Sequence, residues 1–194
     1  MYGRIAFALV LGIALAGVVQ ARPPQHAGGP PDHFKTHLEG FNAAGMAIPT
    51  NATGQARVKV IDGGTALEFQ INVAGIRNLL MAHIHISPVT APSPVPLTVP
   101  AGPIAYWFTG GPPPGTVVTE RVNGRLAMGF IVTNGDLEVW TDPDDPEAGT
   151  IAGLIRALEE GRASVVVHTD DLDPDTPTGT AGDSRAGELR GTLR

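Results

Sequence analysis

Gln55-Ala56-Arg57-Val58-Lys59-Val60-Ile61-Asp62-Gly63-Gly64-Thr65-Ala66-Leu67-Glu68-Phe69-Gln70-Ile71-Asn72-Val73 holds two runs of alternating polarity around an Asp-Gly-Gly. A strand turns successive side chains to opposite faces, so each run fits a sheet with one apolar side. Gly63 and Gly64 tolerate positive φ and allow a tight antiparallel connection. Similar alternation recurs at 34–39, 82–86, 117–122, 125–133 and 136–140, with Asn123-Gly124 and Asn134-Gly135 as further turn pairs. Two last strands are expected at 163–169 and 187–193. Between them and the rest, Asp145-Pro146 supplies a cap and first turn, Ile151, Leu154, Ile155 and Leu158 recur at helical spacing, and Gly161 supplies the stop. The expected fold is all-β, an antiparallel two-sheet β-sandwich with one short helix near residues 146–160.

The amino terminus reads differently. Arg4, an apolar run from Ile5 to Val19 and Val19-Gln20-Ala21 have the order of a signal peptide over residues 1–21. The run is short and rich in Gly and Ala for a membrane span, and no later segment approaches the ~18 apolar residues that one needs. Residues 22–33, Pro/Gly-rich, read as a tether that carries His26 and His33, and 34–194 as one sandwich domain. The expected location is periplasmic or extracellular. A net charge of −6, with Lys and Arg unclustered, argues against nucleic acid and anionic membrane as partners. With no cysteine, disulfides, thiolate metal sites and thiol nucleophiles are excluded.

The chemistry concentrates at Ala82-His83-Ile84-His85-Ile86, where the pleat directs both imidazoles to one face. Residues 87–103 follow at once with six prolines, which bars them from a sheet interior and makes them a surface loop, a candidate wall or lid. If 163–169 pairs antiparallel with 187–193, His168 comes near Glu188, and Glu188, Arg190 and Thr192 share a polar row. Glu188 and Arg190 then form either a solvated ion pair or, for Glu188, a carboxylate that orients a histidine. Asp170, Asp171, Asp173 and Asp175, like Asp142, Asp144, Asp145 and Glu147, offer oxygen ligands for calcium but fit no EF-hand loop, so turn capping is the leading reading. Tyr106, Trp107 and Phe108 form an aromatic cluster, read as core for two of the three. Nucleophile elbows, phosphate-binding glycine loops and His-Glu-x-x-His helices are absent from the sequence.

Taken in order, Ala82-His83-Ile84-His85, the helix ending in Gly161, Val165-Val166-Val167-His168-Thr169 and Gly187-Glu188-Leu189-Arg190-Gly191 resemble the CHRD domain, named for chordin and common in exported bacterial proteins. The resemblance implies an extracytoplasmic β-sandwich module and matches His83, His85, His168, Glu188 and Arg190 to recurring positions of that family. The proline-rich loop and the long link from Asp170 to Ala186 depart from the family pattern.

Three imidazoles with a neighbouring carboxylate suit zinc or copper, which makes His83, His85, His168 and Glu188 the candidate metal set. The function expected is a binding or structural module for a metal or an unidentified protein partner. The alternative is a small extracytoplasmic metalloenzyme, redox or hydrolytic, using the same histidines. Copper/zinc superoxide dismutase is similar in its His-x-His strand but needs further histidines, and only His37 remains outside the tether. The same rings also admit a purely structural use, hydrogen-bonding loop carbonyls and pinning the sandwich ends.

Overall fold

A computed structural model describes residues 31–109, 117–172 and 178–194. The signal-peptide reading at 1–21, most of the tether with His26, and Asp173 and Asp175 lie outside the described residues. Within them the chain forms β1 (His33–Leu38), β2 (Thr53–Ile61), β3 (Ala66–Ile76), β4 (Leu79–Ile86), β5 (Ile104–Thr109), β6 (Val122–Val132), α1 (Ile151–Glu159), β7 (Ala163–Thr169) and β8 (Leu189–Thr192). Two four-stranded antiparallel sheets result, in the orders β1-β2-β3-β6 and β5-β4-β7-β8. No helix among the described residues is long and apolar enough to cross a membrane.

The expected antiparallel hairpin of β2 and β3 forms, with Ile61 opposite Ala66 and Asp62, Gly63 and Gly64 all at positive φ. Its alternation is satisfied on one side only: Leu67, Phe69, Ile71 and Val73 are buried while Glu68, Gln70 and Asn72 are half-buried. Those apolar residues meet Ala82, Ile84, Ile86, Val165, Val167 and Leu189 of the second sheet in one core, and α1 adds Ile151, Leu154, Ala157 and Leu158. Apolar burial at roughly 25 cal/mol per Å² is the main force holding the two sheets together.

Several elements differ from the sequence expectation. Residues 117–122 contribute a single bridge, Leu79 to Val118, before β6 begins at Val122. Residues 136–140 form no strand; Asn134–Asp136 make one 3-10 turn instead, with the Asp136 carboxylate taking the Thr133 amide and hydroxyl. Asn123-Gly124 lies inside β6 at a shift in its pairing with β3, and the Asn123 side chain accepts the Gly75 amide at 2.8 Å. The helix starts later than expected because Thr150 is its cap, accepting from the Gly153 amide at 3.1 Å. Asp145 is engaged elsewhere, with Arg156 and Arg162. β5, which the alternation did not mark, carries Tyr106, Trp107 and Phe108; Phe108 is in the core and Tyr106 packs against it, as expected for two of the three. Two register shifts against β4 break the alternation that would have marked this segment as a strand.

The two sheets join along one margin. Lys35 and Arg194 exchange backbone bonds of 3.0 and 3.3 Å, and Glu39 and Arg190 exchange bonds of 2.9 and 2.8 Å. Gly191 sits at this crossing, where a Cβ would lie 2.3 Å from the His37 carbonyl oxygen and 2.7 Å from Thr36. The His37 carbonyl is backbone held by the pairing of β1 with β2, so an added methyl group forces the margin apart. Gly191→Ala should cost about 2–3 kcal/mol and lower the melting temperature by roughly 5–10 °C, measured by calorimetry.

Candidate metal centre

In the second sheet β7 pairs with both β4 and β8, and this sets the site. His83 stands opposite Val166, His85 opposite Ser164, and Met81 opposite His168. Residues opposite one another share a face, so His83, His85 and His168 all project from the side away from the core, with His83 diagonal to His168. Their ring centroids lie 4.6 Å apart for His83 and His85, 4.4 Å for His83 and His168, and 6.5 Å for His85 and His168. Trp107 on β5 meets the His83 ring edge-on at 4.6 Å.

An outward face should be wet, yet His83 is 1%, His85 7% and His168 4% exposed. Loops cover it. The proline-rich segment 87–103 runs across the sheet as a strap whose carbonyls accept from side chains beneath. Gly102 O faces His85 Nδ1 at 2.6 Å, Val95 O takes the Thr192 hydroxyl at 2.9 Å, and Leu97 O and Val99 O take Arg190 Nη1. Proline lacks an N–H but keeps its carbonyl, so such a segment suits acceptor-only contact better than strand pairing. At the other end Arg185 O faces His168 Nδ1 at 2.7 Å.

These carbonyls fix the tautomers. A carbonyl oxygen only accepts, so Nδ1 of His85 and of His168 carries the proton, and Nε2 of each neutral ring carries a lone pair. Both Nε2 atoms are buried without a hydrogen-bond partner, as is His83 Nδ1. One ring nitrogen from each of the three residues falls within 4.8 Å of the others. Burial is the main cause that lowers all three pKa values, His83 to about 2 and His168 to about 4, and the neighbouring imidazoles act in the same direction on His83. The site is a neutral, three-nitrogen donor set.

Glu188 is not part of that group. Its amide donates to Val167 O at 2.7 Å, although Val167 already stands opposite Leu189, so the entry into β8 breaks the alternation. The carboxylate passes to the Thr169 side, where it accepts from Thr169 Oγ1 at 3.0 Å, Gly182 N at 2.7 Å and Thr50 Oγ1 at 2.5 Å. Arg190 and Glu188 are no solvated ion pair, since Arg190 is 0% and Glu188 1% exposed and they hold different partners. Arg190 is the residue whose role sequence reading missed; its burial depends on the strap, almost a hundred positions away in the chain.

The remaining candidates do not join the three rings in one group. His33 and His37 are exposed on β1. Asp170, Asp171 and Asp183 bring carboxylates within 4.8 Å of one another. Arg185 binds Asp170 and holds its pKa below the usual carboxylate value, while the Thr178 amide and hydroxyl occupy Asp183. Asp142 and Asp145 cap turns through the Asp144 and Glu147 amides.

The family model for the CHRD domain matches residues 34–175. The chain belongs to the CHRD domain family. No curated protein and no solved structure matches it. The CHRD match contains all three histidines but ends before β8, so the fold continues past it through the β7–β8 pairing and the crossing at Gly191.

Buried neutral imidazoles make this CHRD domain acid-sensitive when metal-free. Each ring, with its folded pKa pushed below the ordinary 6.5, takes up its proton on unfolding. Stability is therefore complete above that value and falls as the pH drops through it. In the presence of a chelator, urea denaturation should show a loss between about pH 7 and pH 5 of which His168 alone supplies roughly 2 kcal/mol. The loss should shrink in His168→Gln.

Proposed function

We propose that this CHRD domain is an extracytoplasmic binding module that holds one zinc or copper ion through His83 Nδ1, His85 Nε2 and His168 Nε2. Two observations carry the reading: one ring nitrogen of each residue lies within 4.8 Å of the others, and each ring has one buried nitrogen without a hydrogen-bond partner. A buried polar atom left unsatisfied costs about 1–3 kcal/mol, and a shared cation satisfies three at once. Pinning of loops accounts for the Nδ1 atoms of His85 and His168 and leaves the three orphaned nitrogens unexplained. The carbonyls behind His85 and His168 are the usual partners of a metal-ligating imidazole, since they fix the ring and present the opposite nitrogen.

All-nitrogen donors without thiolate suit zinc and copper above calcium or magnesium, and among divalent ions the general affinity order favours copper over zinc. The signal-peptide pattern at 1–21 supports a location outside the cytoplasm. Binding is favoured over turnover because, among the described residues, no carboxylate joins the three rings to act as acid or base.

Isothermal titration of the chelator-treated protein with Zn²⁺ or Cu²⁺ should show one ion per chain. At a free metal concentration near a hundred times Kd the melting temperature should rise by roughly 5–10 °C. Both effects should vanish in His83→Ala/His85→Ala. Absence of stoichiometric binding by the wild type, or binding that survives the double substitution, overturns the proposal.

A further inference from the structure

Arg190 is a buried charge with no ion-pair partner among the described residues. The other fully buried arginine, Arg162, faces Asp145 at 3.5 Å and Glu160 at 2.5 Å. Arg190, 0% exposed, makes no ion pair among the described residues. Its Nη1 is taken by the strap carbonyls of Leu97 and Val99. Nη2 reaches only Ser164 Oγ, at 3.5 Å, and Nε is buried with no partner. Nε and Nη2 form one edge of the planar guanidinium, the edge that pairs with an anion through two parallel N–H groups. Here that edge is almost unused.

Its position matters. Ser164 stands opposite His85 across the β4–β7 ladder, so the free edge lies on the histidine side of β8. A divalent ion on three neutral imidazoles would add a second positive centre to the same covered face. Glu188, two positions before Arg190, is already held by Thr50, Thr169 and Gly182, and Glu39, which meets Arg190 through the backbone, is exposed. Two like charges in a low-dielectric setting repel strongly unless an anion enters between them.

We infer that the metal ion bound by His83, His85 and His168 takes a compact inorganic anion from solution at its remaining position, and that the unpaired edge of Arg190 strengthens that anion's binding. The inference rests on the metal-binding reading above. Size follows from the surroundings: the large groove of the molecule, about 700 Å³, runs along Lys35, Arg57 and Pro94 and includes none of the three histidines. The three rings are covered by loops, which favours a halide, azide or cyanate-sized ion over an extended organic anion.

The test uses the full protein loaded with Co²⁺, whose visible bands report coordination, and titrates azide. Saturable change in the bands is expected for the wild type. Arg190→Gln, which keeps donors and removes charge, should weaken azide binding by about tenfold or more, and Arg190→Lys by much less. Melting temperatures and Co²⁺ stoichiometry of each variant separate loss of fold from loss of anion affinity. If Co²⁺ binds one per chain and azide leaves the wild-type spectrum unchanged, the anion site is wrong and the metal site stands. Azide affinity in a folded Arg190→Gln equal to wild type removes Arg190 from the account. If Co²⁺ itself fails to bind, the metal reading falls and the inference with it.

Discussion

The antiparallel register of β4 against β7 is the constraint from which the rest follows. With His83 opposite Val166 and Met81 opposite His168, the imidazole near the end of β7 lies diagonally beside the pair on β4. A slip of one residue in that pairing would send His168 into the core and a valine to the outer face, because side chains alternate strictly. The slip is opposed by Val165 and Val167, which pack in the core between the two sheets, as Val166 does not. The same apolar packing that closes the sandwich therefore assembles the three-nitrogen centre.

The other half of the arrangement is the cover. Outer faces of antiparallel sheets commonly meet water, but here Ser164, His168, Arg190 and the two histidines of β4 are buried beneath loops. The segment between 87 and 103 supplies backbone acceptors from Val95, Leu97, Val99 and Gly102, which lie between its six prolines. Gly102, at a φ of 82°, lies against Ile86, where any Cβ would fall 2.1 Å from the Ile86 carbonyl oxygen. Its own carbonyl meets His85. Strap, tautomer and donor nitrogen are thus one chain of cause: the strap takes the Nδ1 proton, and the lone pair on Nε2 is left to face its neighbours.

Much of the fold was legible in local patterns. β2, β3 and β7 alternate or run apolar between clear turn residues, and the final hairpin and the shared face of His83 and His85 follow from strand periodicity alone. What escaped was set by distant parts of the chain. β5 hides behind two register shifts, and the Asn123-Gly124 pair that reads as a turn is absorbed into β6 by pairing with β3. Asp145 looks like a helix cap until Arg156 and Arg162 are placed on it. Glu188 and Arg190 alternate with apolar residues as a solvated pair would. Only a break in the ladder at Glu188 and the strap over Arg190, both tertiary effects, send them to separate buried partners.

X-ray absorption at the metal edge of the zinc-loaded protein addresses the convergence of these rings most directly. The account predicts three imidazole nitrogens at about 2.0–2.1 Å plus one lighter-scattering or halide ligand, with the imidazole count falling to two in His168→Ala. An oxygen-dominated shell, or an unchanged spectrum in that variant, would contradict it.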